Sequence, residues 1–285
     1  MRSSMAWKIT KHLLNNEMIQ YHLLKGKDHG LFPDHLPDTI VLHYTALPSL
    51  QKATAVFDDP QTRASAHLLI GRDGAIIQLL PFNRIAWHAG QSRWQKRQDI
   101  NRYGIGIELD NAGRLLETAK GYQAWWGGYY PEDEVYFGTH RHETIPYFWH
   151  GYTAVQMETV TEICRALYSK YDIKWILGHE EIAPGRKSDP GPAFPLDEIR
   201  SHFDDRSAHE PEGENDPSIP SPPKRGYVLP ERLNIRSAPD AQAQLQGEPL
   251  LKNNIVDILG EQQQWLQVQT TTVGWVRKEY IQIIS

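Results

Sequence analysis

The sequence predicts a mixed α/β domain, a central sheet flanked by helices, with a small all-β barrel behind it. Three observations carry that expectation. Short apolar, strand-like runs alternate with helical patterns as far as residue 203, the signature of an α/β layer. Two of those runs, 65–70 and 75–80, are joined through Asp73-Gly74, a hairpin signal that makes the sheet partly antiparallel. Beyond a stretch rich in proline and acid, the tail switches to closely spaced β-rich runs.

Residues 39–44 are an apolar run short enough for a buried strand. Ser49 is placed to cap a helix that must stop before Pro60. Residues 103–109 set Ile105, Ile107 and Leu109 against Gly104, Gly106 and Glu108 in period two, so the carboxylate and both glycines share one face. Thr153 and Gln156 make a capping box, and Val160, Ile163, Leu167 and Tyr171 recur behind it at helical spacing. Residues 173–177 form another strand-like run leading straight into Gly178-His179. From 204 to 226, Pro211, Pro217, Pro220, Pro222 and Pro223 alternate with Glu210, Glu212, Glu214 and Asp216. Such a stretch buries too little to offset its ordering entropy, so it reads as a stiff linker. The expected boundaries are therefore 1–203, a linker over 204–226, and a barrel over 227–285, where runs 255–259, 265–268 and 274–276 are punctuated by Pro239, Gly247, Gly260 and Gly274.

A chain of 285 residues suits two domains at about 150 residues each. The net charge of −5 argues against a non-specific nucleic-acid binder. Cys164 is the single cysteine, which excludes an internal disulfide and a cysteine-based zinc cluster. No apolar run reaches the length of a membrane span. Residues 1–18 lack the apolar centre of a signal peptide, so the expectation is a cytoplasmic protein, or one exported by a signal-independent route or released at lysis.

Two of the thirteen histidines stand at strand ends, His43 and His179, where a rigid scaffold faces an open loop surface. Behind His179, three prolines and two glycines are expected to hold residues 180–192 in shape without regular structure. That excursion carries Lys187 and Asp189 two positions apart, on one side if extended. Two imidazoles and a carboxylate with an open fourth position would make a catalytic zinc site. The zinc-protease helix H-E-x-x-H fails here because Ala183 takes the second histidine's place. Neither a G-x-S-x-G elbow nor a phosphate-binding G-x-x-x-x-G-K-[ST] loop occurs. His67 and His88 suit a substrate-facing or a structural role.

The motifs Ile40-Val41-Leu42-His43-Tyr44-Thr45-Ala46, Ser65-Ala66-His67-Leu68-Leu69-Ile70-Gly71-Arg72-Asp73-Gly74, Ala86-Trp87-His88-Ala89-Gly90, Ile105-Gly106-Ile107-Glu108-Leu109 and Gly178-His179 through Pro192 run in one order. Together they resemble the type 2 zinc-dependent N-acetylmuramoyl-L-alanine amidases, nearest the AmpD-like branch, which shares its fold with the peptidoglycan recognition proteins. The resemblance spans residues 38–203. It implies a mixed sheet flanked by helices, one Zn²⁺ on His43, His179 and Asp189, and cleavage of the amide between the muramoyl lactyl group and L-alanine in peptidoglycan or muropeptides. In the tail, Leu233-Asn234-Ile235-Arg236-Ser237-Ala238-Pro239 and Gly274-Trp275-Val276 resemble a bacterial SH3 domain, which would bind wall or pack on the catalytic domain.

Under that resemblance Glu108 is the candidate proton shuttle, with a solvated strand-end glutamate as its bland alternative. Two glycines on its face would leave substrate room against bare backbone. Some phage relatives use a tyrosine just before the residue matching His67; Ala66 stands there, which favours Glu108. Lys187 is the candidate oxyanion donor, or else a surface lysine. Trp87, His67 and His88 are candidate substrate contacts, as are Arg97 and Arg102, which could pair with substrate carboxylates. The chain departs from the compact AmpD-like pattern over 111–151. That insertion is dense in aromatics, from Tyr122, Trp125 and Trp126 to Tyr147, Phe148 and Trp149, for a sugar or peptide groove or for its own packing. The rival function is a non-catalytic peptidoglycan-recognition protein, but recognition-only members lose the third metal ligand and Asp189 is present. A closed structural zinc site is disfavoured by Lys187 and Glu108 beside the ligands.

Overall fold

A computed structural model describes residues 7–16, 19–203, 224–247, 249–251, 254–269 and 273–284. The chain divides into two compact units, Met1–Glu214 and Asn215–Ser285. No helix among the described residues is long and apolar enough to cross a membrane.

The first unit is built on a six-stranded sheet. Its order is Trp175–Gly178, Thr39–Tyr44, Gly104–Leu109, Leu68–Ile70, Ile76–Gln78, Ile19–Tyr21. All neighbours are parallel except Leu68–Ile70 with Ile76–Gln78, the hairpin that Asp73-Gly74 announces. Gly74 takes a φ of +82°, and the Asp73 carboxylate accepts the Ala75 N–H, so the turn is closed by its own residues. These ladders are shorter than the apolar runs. Residues 65–67 lie outside the regular pairing, where the Ser65 N–H donates to the Trp87 carbonyl and the His67 N–H to the Gly106 carbonyl.

Both faces of the sheet are covered, which is why its central strands read as near-continuous apolar runs. Ile40, Leu42, Ile105, Ile107 and Leu109 pack against Val160, Ile163, Cys164 and Leu167 of the helix Ala154–Lys170. That helix opens on the capping box of Thr153 and Gln156. On the other side lie Val41, Leu177, Ala89, Trp94, Ile100 and Ile182, and the helix Leu50–Asp58, capped by Ser49, lays Leu50, Ala53 and Phe57 on Ala66, Leu69 and Ile77.

The insertion forms an antiparallel sheet of its own, in the order Tyr129–Tyr130, Gly121–Gln123, Arg114–Thr118, Pro146–His150, Val135–Thr139. Tyr122, Trp126, Tyr130 and Phe148 close its small core around Ala112, Leu115 and Ala124. Most of its aromatic richness therefore serves packing, because so thin a layer has little else to bury.

In the second unit, Val273–Arg277, Trp265–Gln269, Ile255–Gln262, Lys224–Val228 and Ile281–Ile284 make one antiparallel sheet over a core of Val228, Leu233, Ile235, Val256, Leu266, Val268 and Val276. The expected linker lies outside the described residues as far as 223. Lys224–Val228 is already a strand, so the barrel begins three residues before the expected 227.

Candidate metal centre and catalytic cleft

Strand register builds the site. Glu108 faces His43 and Leu42 faces Gly178 across parallel ladders, so His43 and Glu108 stand in one row on neighbouring strands and His179 follows directly where the third strand ends. This row lies at the carboxyl ends of the strands, where an open α/β sheet leaves room for a ligand. Asp189 returns to the same point because the Glu180 N–H donates to the Asp189 carbonyl at 2.8 Å. The residues after His179 are not wholly irregular. His179–Ile182 is one helical turn, since the Glu181 carboxylate caps it by accepting the Gly178 N–H at 2.7 Å.

Three donor atoms converge. His43 Nδ1, His179 Nδ1 and Asp189 Oδ2 stand 2.9 to 3.0 Å from one another, all in buried residues. The tautomers follow from the partners. His179 Nε2 meets the Ala89 carbonyl at 3.0 Å, and a carbonyl only accepts, so that nitrogen carries the proton. His88 Nε2 meets the Gly104 carbonyl at 3.0 Å in the same way, leaving His88 Nδ1 to accept from His43 Nε2 at 3.0 Å. Both Nδ1 atoms are left with bare lone pairs, aimed with a carboxylate oxygen at one spot. Without a cation they repel, and with one they are a ligand set whose outer nitrogens are already fixed by hydrogen bonds. Burial, then the nearby His179, pushes His43 down to about 4, which keeps it neutral and able to ligate. The donor set fits a metal ion.

The centre opens into a cleft that Tyr44, Trp87, His88, Glu108 and Lys187 also line. Glu108 is buried and its Oε2 has no hydrogen-bond partner. Burial, then the Asp189 charge, raises its carboxyl well above the usual range, while Lys187 pulls the other way. A buried, unpaired carboxylate oxygen in a cleft is a costly feature with a chemical use. Lys187 reaches the cleft from an exposed position on the loop that carries Asp189.

Other expectations change. The room that Gly104 and Gly106 were expected to leave for substrate is filled by His88: a Cβ at Gly106 would lie 2.4 Å from His88 Cγ. His88 therefore acts behind His43, as a fixed hydrogen-bond acceptor as well as a cleft wall. His67 is structural, donating to the Arg84 carbonyl at 2.7 Å and accepting the Gly106 N–H at 3.0 Å. Arg97 forms a two-pronged pair with buried Asp38 at 2.7 and 2.9 Å, and its guanidinium lies over Tyr103 and Trp175. Arg102 pairs with Asp99 at 3.0 Å. Neither arginine lines the cleft.

Sequence reasoning missed a brace around the segment that carries Asp189. Buried Glu180 accepts from His140 Nε2 at 2.7 Å and from the Gly191 N–H at 3.0 Å, and Arg141 pairs with it at 3.1 Å. His140 and Arg141 come from the insertion, so that excursion grips the segment between His179 and Asp189. The one local signal is the Glu180-Glu181 pair directly behind His179.

Comparison with known proteins gives a consistent picture. A family model described as N-acetylmuramoyl-L-alanine amidase matches residues 33–192, and one described as a bacterial SH3 domain matches residues 231–282. The 1,6-anhydro-N-acetylmuramyl-L-alanine amidase AmpD of Escherichia coli (strain K12) is 34% identical over 180 residues, covering 56% of this chain and 79% of that protein. The protein of the same name from Enterobacter cloacae is 36% identical over 202 residues, covering 64% and 89%. The N-acetylmuramoyl-L-alanine amidase AmiD of Escherichia coli (strain K12) is 30% identical over 169 residues, covering 56% and 51%.

Proposed function

Because the chain belongs to the N-acetylmuramoyl-L-alanine amidase family and is such an amidase, acting on peptidoglycan or muropeptides, we propose that it works with zinc on His43, His179 and Asp189. Two nitrogens and one oxygen with an open fourth position suit zinc in a catalytic site. Held by these three residues, zinc would make a water more acidic and polarise the scissile carbonyl.

The chain's own residues do the rest. Glu108 takes the proton of the attacking water through its unpaired Oε2, then returns it to the amine of the departing L-alanine. A carboxyl raised toward neutrality holds a proton long enough for the second transfer and still ionises for the first. Lys187 sets a positive charge beside the oxygen on which negative charge develops, a donor role worth about 10²–10³ in rate. His88 keeps the His43 proton on Nε2, so that Nδ1 stays free. The single observation that carries this reading is the register of Glu108 against His43, which sets a partnerless carboxylate beside a buried donor triangle. The C-terminal unit, matched by the bacterial SH3 model, gives the enzyme a second hold on wall.

The test is to incubate zinc-loaded protein with whole sacculi and with soluble 1,6-anhydro-muropeptides, and to weigh the products. Peptides beginning at L-alanine, with intact glycan left behind, are expected from both. Cut glycosidic bonds, or full activity after zinc is stripped, would overturn the proposal. Ending the chain after Phe203 is expected to cost more on sacculi than on muropeptides.

A further inference from the structure

One aromatic residue of the insertion stands outside its core. Trp125 sits in the turn between the strands Gly121–Gln123 and Tyr129–Tyr130 and is 73% exposed. Its neighbour Trp126 turns into the insertion's core, and the two rings meet edge to face at 5.6 Å. Yet Trp125 is not loose, because its indole N–H donates to the Ala46 carbonyl at 2.9 Å.

That anchor decides where the ring stands. Ala46 lines the cleft three residues beyond His43. It holds a φ of +50°, an uncommon conformation for a residue with a Cβ, and its own N–H is fixed to the Asn111 carbonyl at 3.0 Å. The insertion thus reaches over to the cleft's edge and presents a flat, pinned aromatic face there. With its only polar atom used, the indole offers the incoming molecule a purely apolar plate.

We propose that Trp125 is a stacking platform for a sugar ring of the glycan, the ring next to the muramoyl residue being cleaved. The inference rests on the amidase reading, and it names the sugar beside the cleaved muramoyl residue as a part of the substrate that the enzyme grips. The chemistry favours sugar over stem peptide. A pyranose carries a flat face of C–H groups that an indole covers well, whereas a stem peptide brings carboxylates and amines. The cleft-lining neighbours of Ala46 in the chain, Thr45 and Leu47, carry no charge for these to pair with.

The experiment uses the full chain and compares three soluble substrates: a muramoyl tripeptide, the same with N-acetylglucosamine joined to the muramoyl residue, and a muramoyl pentapeptide. For Trp125→Ala, the preference in kcat/KM for the disaccharide over the monosaccharide is expected to fall about ten-fold, mainly through KM, the scale of one aromatic contact. Trp125→Phe, which keeps a ring but loses the anchor, is expected to recover part of it. A loss that follows peptide length, a loss equal on all three substrates, or no loss overturns the proposal. Calorimetry with a peptide-free oligosaccharide of alternating N-acetylglucosamine and N-acetylmuramic acid, which an amidase cannot cut, separates this from the reaction itself. Weaker binding by Trp125→Ala supports the platform even if hydrolysis fails, and equal binding by both proteins sinks it.

Discussion

Glu108 and His43 are register partners on neighbouring parallel strands, so the proposed base and a metal ligand are spaced by one hydrogen-bonded ladder. Neither side chain holds the other in place. The carboxylate can therefore be neutralised without disturbing the donor triangle.

Glu108→Gln keeps size and shape but cannot take a proton. Turnover is expected to fall by about 10²–10⁴-fold with zinc content intact, the loss appearing in kcat rather than KM. In the unaltered enzyme, activity is expected to fall as pH drops through the Glu108 pKa, which burial places above the ordinary carboxylate range. The pH–rate profile with zinc assayed in parallel decides. An unshifted acid limb in the variant would mean that another group is the base.

Gly106→Ala tests the acceptor behind His43. The new Cβ would lie 2.7 Å from His88 Nδ1, so His88 must move and its bond to His43 must break. Zinc affinity is expected to drop by about 10–100-fold, the usual cost of losing a ligand's outer partner. Gly104→Ala is the control, since its Cβ would meet Ile100 and Val41 at 3.3 Å and His88 only at 3.6 Å. Competition against a chelating dye measures both, and equal affinities would remove the role given to His88.

Buried His67 makes the fold acid-sensitive. Burial pushes its pKa from 6.5 down to about 4, so the folded form resists a proton that the unfolded chain accepts. A lowered histidine pKa gives stability that is present above pH 6.5 and lost as pH falls toward 4, in all about 3 kcal/mol. His67→Asn is expected to be less stable at neutral pH, having lost bonds to Arg84 and Gly106, but to show a shallower acid slope. Urea unfolding from pH 7 to 4 reads the slope, and identical slopes would clear His67.

Arg97 is expected to matter for stability and not for substrate. Arg97→Gln strands the buried Asp38 carboxylate, with Lys174 at 3.9 Å as a partial substitute, and should cost about 3 kcal/mol. A raised KM at unchanged stability would restore the substrate role first expected of it.

The local pieces of the fold are legible in the chain's own order of residues. The turn at Asp73-Gly74, the caps at Ser49 and Thr153, the apolar periods and the family motifs are all written within a few residues of where they act. His43 and His179 were legible as strand-end residues for the same reason, because a strand's end is a local event. The tertiary structure decided what meets what. Whether the space over Gly106 belongs to substrate or to His88 depends on a segment 18 positions away in sequence, and the pairing of Arg97 with Asp38 spans 59. Glu180 is buried, and the partners that hold it, His140 and Arg141, come from the insertion about 40 positions away. Such contacts are set by strand register and chain crossing, which fix positions to within a hydrogen bond but leave no periodic trace. Sequence periodicity marks the face on which a side chain lies, and only the assembled sheet supplies the neighbour it finds there.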